Sequence, residues 1–99
     1  MSILNISLQE GFRDDYVIVQ INGKEVYQQM GVTTKLLLGY AVNFNVEVPE
    51  CIVNLDIILP LKKLSQVIAL DTKTKRFLGV SIMAGKIDCR ISSEPFGYL

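Results

Sequence analysis

The strongest constraint on this chain is an alternation with a period of two. Val42, Phe44, Val46 and Val48 alternate with Asn43, Asn45 and Glu47. Such a run presents one row of side chains to a core and the other to water, as a half-buried β-strand does. The same pattern recurs at Leu4, Ile6 and Leu8, at Val17, Val19 and Ile21, and at Val53, Leu55, Ile57 and Leu59. It returns at Leu78, Val80 and Ile82, then at Ile87, Cys89 and Ile91.

The punctuation between these runs agrees with strands. Asn22-Gly23 lies between two β-rich segments. Asn-Gly favours a two-residue type I′ hairpin because both residues tolerate positive φ. Ala84-Gly85 marks a second hairpin. Pro49-Glu50 and Pro60-Leu61 end strands, since proline has no N–H for a ladder. Lys24 to Lys35 reads as a strand, a turn and a strand. Leu61 to Leu70 offers one helical turn, although Val67, Ile68 and Leu70 favour a strand. Asp71 to Lys75 is a polar connection, and periodicity leaves Leu36-Leu37-Leu38 unassigned.

Short strands at close spacing with turn signals between them predict an all-β chain, a small antiparallel β-sandwich of seven to eight strands. An immunoglobulin-like or a prealbumin-like sandwich fits. A tryptophan-plus-disulfide core does not, because the chain has no Trp. At 99 residues, positions 1–99 form one domain with an apolar C-terminal tail.

Composition narrows the function classes. Ten basic and ten acidic side chains leave no net charge. Nucleic-acid binding normally draws its affinity from a basic surplus, so no nucleic-acid partner is expected. Lys62-Lys63 and Lys73, Lys75 and Arg76 read as solvated turns. No apolar run approaches the roughly 20 residues of a membrane helix. The start, Met1 to Ile6, lacks a basic segment followed by a long apolar one, and Cys51 and Cys89 are the only cysteines. These features predict a cytoplasmic protein with free thiols. The 49% hydrophobic content exceeds what a small monomer needs, which points to a homo-oligomer, a dimer in the first instance, or to a protein partner.

Histidine is absent. Its absence removes Ser-His-Asp and Cys-His catalysis in cis and every histidine-ligated metal site. Cys89 shares parity with Ile87 and Ile91 and is expected in the core, while Cys51 precedes a strand. Their spacing is not that of a zinc site. Asp14, Asp15 and Asp71 fall in expected loops, whereas Asp56 and Asp88 fall mid-strand on the solvent parity. They form no calcium-loop motif and no favoured carboxylate pair. The glycines form no phosphate-binding motif. The expectation is therefore no catalytic residue, no cofactor and no metal.

Ile18 and Ile58 sit on the wrong parity of otherwise amphipathic strands, and Tyr16 shares parity with Ile18. Together they predict an apolar stripe for another chain to cover, against the alternative of a loop lying across that face. The tail brings Phe96, Tyr98 and Leu99, expected either to pack on its own sandwich or to dock on another subunit. These six residues are the predicted interaction surface. The resulting reading is a non-enzymatic interaction or structural module that self-associates through a sheet edge or outer face. The alternative is a sandwich that binds a carbohydrate, a lipid headgroup or a metal ion at its loops.

Overall fold

The computed structural model describes residues 2–35 and 37–96. Eight strands follow one another: β1 (Ser2–Leu8), β2 (Asp15–Ile21), β3 (Lys24–Val32), β4 (Val42–Val48), β5 (Ile52–Leu59), β6 (Leu64–Asp71), β7 (Phe77–Met83) and β8 (Lys86–Ser92). Every alternating run becomes a strand. Two four-stranded sheets form, in the orders β4-β1-β7-β8 and β3-β2-β5-β6. All pairings are antiparallel except β1 with β7. The chain is thus the small β-sandwich that its periodicity predicts. No helix in the described residues is long and apolar enough to cross a membrane.

The inward rows meet between the sheets. Leu4, Ile6 and Leu8 of β1 are fully buried with Val17 and Val19 of β2 and Leu55 and Ile57 of β5. Each such side chain contributes about 1.5–3 kcal/mol on leaving water. At one side of the sandwich, β3 and β4 are joined by Tyr27 stacked on Phe44. At the other, Leu64 and Ile68 of β6 and Ile87 and Cys89 of β8 are half-buried against the core.

Both predicted hairpins form. Asn22 and Gly23 take φ of 51° and 82° between the paired residues Ile21 and Lys24. Asn22 is also tied to β5: its N–H donates to the Asn54 carbonyl at 2.7 Å, and its Oδ1 accepts from the Asn54 N–H at 2.9 Å. Ala84 and Gly85 take φ of 52° and 75° between Met83 and Lys86.

Several local expectations are corrected. Lys24 to Lys35 holds one strand, β3, rather than two, because register shifts against β2 absorb its irregularity. Residues 61–70 contain both alternatives: a 3-10 turn at Pro60–Lys62 and then β6. Asp15 is not in a loop. It opens β2 and is buried, which requires a partner for its charge. That partner is Lys62, whose Nζ lies 3.0 Å from Oδ2, so Lys62 is not simply solvated. Within the polar connection, Thr72 is fully buried. Its hydroxyl accepts from the Cys51 N–H at 3.1 Å and is hydrogen-bonded to the Pro49 carbonyl. Asp56 points away from the core, yet its Oδ1 is buried without a hydrogen-bond partner. It lies on an interior strand between Gln20 and Val67. Cys89 is half-buried rather than enclosed, because β8 is an edge strand.

Candidate functional site

The outer face of the β3-β2-β5-β6 sheet collects the off-parity residues. Ile18 and Ile58 stand directly opposite each other across β2 and β5. Directly opposed residues in an antiparallel pair project from the same face, so the two form one apolar unit, half-buried on each strand. Tyr16 lies on the same face, its hydroxyl donating to Gln28 Oε1 of β3 at 2.6 Å. The face extends further than parity alone suggests. Met30, Ile52 and Val67 are 66%, 69% and 61% exposed. Val67 sits opposite Asp56, and Ile52 opposite Asp71.

This face ends at β6, an edge strand. An edge presents a row of backbone N–H and C=O groups without a strand partner, and folded proteins ordinarily block it with charges, proline or bulges. The other three edges carry such blocks. β3 has Lys24, Glu25 and its register shifts. β4 has Glu47, and β8 has Lys86, Asp88 and Arg90. β6 reads Leu-Ser-Gln-Val-Ile-Ala-Leu-Asp. No charge and no proline interrupt it before Asp71.

The tail lies elsewhere. Phe96 is half-buried, with the Arg90 guanidinium 5.0 Å from its ring centroid. Arg90 belongs to β8, in the sheet opposite Ile18 and Ile58. The structure therefore brings Tyr16, Ile18 and Ile58 together and places Phe96 with the other sheet. Tyr98 and Leu99 lie outside the described residues.

The outer face of the β4-β1-β7-β8 sheet is polar. Asn5 Nδ2 donates to Asn43 Oδ1 and to Asn45 Oδ1, each at 2.8 Å. Asn43 Nδ2 donates to Ser7 Oγ at 2.6 Å. Beside this amide ladder runs an open groove of about 560 Å³, lined in part by Ile3, Phe77, Lys73 and Arg76. A second groove, of about 660 Å³, lies against Phe12, Arg13, Thr34 and Lys62. Among the described residues no three Cys, Asp or Glu side chains gather closely enough to hold a metal ion.

No protein family, curated protein or solved structure matches this chain.

Both cysteines are free, Cys51 exposed and Cys89 half-buried. Burial, and then the adjacent Asp88 carboxylate, push the Cys89 thiol up to about 11. Such a thiol stays protonated at neutral pH and is a poor nucleophile.

Sequence reasoning missed the open edge at β6. One signal was available: β6 breaks the strict alternation of its neighbours, and its polar positions hold only Ser65 and Gln66. The informative part is the missing charge rather than the lost alternation, because edge strands β4 and β8 keep their alternation.

Proposed function

We propose that this protein is a non-enzymatic structural module that self-associates by adding the β6 edge of a second copy to its own. The single observation that carries the reading is the uncharged run from Leu64 to Leu70 on an edge strand whose three counterparts are all charged. Strand addition satisfies the open backbone groups and covers Val67 at once. The exposed apolar face beside the edge gives the assembly a continuous surface. The reading keeps the chain in the cytoplasm, where Cys51 and Cys89 remain thiols.

The strand order supports the prealbumin-like of the two sandwich types. In the immunoglobulin fold the first two strands share a sheet, whereas here β1 and β2 lie in opposite sheets. Ligand binding is the weaker reading. The amides of Asn5 and Asn43 are largely engaged with one another and with Ser7 and Asn45, which leaves few free groups for a sugar or a headgroup.

Light scattering behind size exclusion tests the proposal. The wild type is expected to run as a dimer. Val67→Lys is expected to run as a folded monomer, because an exposed side chain adds little to the stability of one subunit. Met30→Lys, on the opposite edge of the same sheet, is expected to remain a dimer. A monomeric wild type at high concentration overturns the reading, as does a dimer that Met30→Lys disrupts and Val67→Lys does not.

A further inference from the structure

Resting on that self-association, we infer that the two β6 strands pair antiparallel about a two-fold axis through Val67, in a register set by Lys63 and Asp71. A two-fold axis perpendicular to a sheet keeps its outer face outward, so outer-face residues must oppose outer-face residues. Complete overlap of Leu64–Asp71 on itself is then forbidden. Its centre falls between Val67 and Ile68, which would set outward residues against inward ones. The permitted centres nearest to full overlap are Val67 and Ile68 themselves.

Charge separates these two. Centred on Val67, the strands place Lys63 of each copy opposite Asp71 of the other. Centred on Ile68, they place Asp71 opposite Ser65 and carry Lys63 past the end of β6, which turns after Asp71, so the two opposite charges are not paired. The pairs available in the first register are real ones. Lys63 directly precedes β6 as the left-handed residue closing the 3-10 turn, with φ of 54°. Its neighbour Lys62 is already engaged with Asp15, and Lys63 has no ion pair among the described residues. Asp71 uses Oδ1 to accept the Lys73 N–H at 3.0 Å, which leaves Oδ2 for an incoming ammonium.

The Val67 register also suits the side chains. Val67 meets Val67 of the second copy on the axis, and Ser65 meets Ala69 on the same outer face. Gln66 meets Ile68 on the inner side. Both side chains at each outer contact are small, so two twisted sheets can approach without steric conflict. The row Gln20–Asp56–Val67 then continues across the axis into its own copy.

Cysteine cross-linking reads the register directly, in a Cys51→Ser background that removes the exposed native thiol. Directly opposed residues of an antiparallel pair have Cα atoms about 4.5–5.5 Å apart, within the span a disulfide bridges. Val67→Cys alone, oxidised with glutathione disulfide, is expected to give a covalent dimer. A covalent dimer that forms only when Val67→Cys is mixed with Ala69→Cys would show the Ile68-centred register and overturn the inference, leaving the β6 edge reading standing. A dimer by mass in which neither combination cross-links would overturn the edge reading as well, and a monomer would remove self-association altogether. Independently, Lys63→Glu is expected to weaken dimerisation about tenfold, by two lost pairs and two new repulsions. An unchanged dissociation constant at low salt would refute the part assigned to Lys63 and Asp71.

Discussion

Tyr27 and Phe44 stack face to face, their ring centroids 3.9 Å apart and their planes within 8° of parallel. Tyr27 belongs to edge strand β3 and Phe44 to edge strand β4, so one ring pair closes one side of the sandwich between sheets that share no backbone ladder there. Aromatic pairs contribute about 0.5–1.5 kcal/mol beyond the area they bury. Phe44 is half-buried, so Phe44→Ala is expected to cost about 1–3 kcal/mol, less than a fully enclosed phenylalanine. Burial raises the Tyr27 pKa above its ordinary value, and removal of the Phe44 ring lets water reach the phenol. The variant should therefore show lower stability in urea and a Tyr27 ring resonance that titrates at lower pH. A Tyr27 titration unmoved by Phe44→Ala would mean that other neighbours shield it.

Glycine positions differ in what they require, and a matched pair of substitutions separates the causes. Gly11 and Gly23 both have positive φ, 86° and 82°. A Cβ at Gly23 meets nothing within 4 Å, whereas one at Gly11 would lie 2.0 Å from the Ile82 carbonyl oxygen. Gly23→Ala should then cost only the left-handed backbone penalty, about 1–2 kcal/mol. Gly11→Ala adds a backbone clash and should cost about 2–5 kcal/mol. The clash also threatens the bond from the Ile82 N–H to the Glu10 carbonyl, now 2.8 Å. Chemical denaturation of the two variants side by side checks the order, and equal midpoints would show that the loop at Gly11 yields without cost.

The strands were legible because each inward row sits within one stretch of chain. Leu4, Ile6 and Leu8 identify β1 without reference to anything distant, and Asn22-Gly23 specifies its hairpin through local backbone freedom. What was not legible depends on long-range pairing. Nothing near Asp15 indicates that Lys62, beyond β2, β3, β4 and β5 in the chain, will neutralise it. The division into two sheets is equally hidden, because β1 pairs with β4 and β7 rather than with its neighbour in the chain. The candidate surface divided in the same way. Parity identified Ile18 and Ile58 as outward and apolar, and their direct apposition followed from the β2–β5 register. Phe96 lacked any strand parity to place it, and its position over Arg90 is a tertiary contact. Edge status belongs to the whole sheet, which is why β6 stood out only once its neighbours were known.

The two cysteines should differ sharply in reactivity. Cys51 is exposed at the turn before β5. Cys89 is half-buried beside Asp88, and its thiol is pushed up to about 11. At pH 8 only about one Cys89 in a thousand would be thiolate, the reactive form. Labelling with a disulfide reagent should therefore modify Cys51 at least about a hundredfold faster than Cys89, as peptide mass mapping would reveal. The same shift has a consequence for stability. In the unfolded chain the thiol titrates near 9.0, below its folded value of about 11. Between those values the folded protein keeps a proton that the unfolded chain has lost. The stabilisation from Cys89 is complete below about pH 9 and falls as pH rises towards 11. Cys89→Ala should remove that part of the alkaline decline. Equal labelling rates at the two cysteines in native protein, together with an alkaline slope unaltered in Cys89→Ala, would show that Cys89 is open to water.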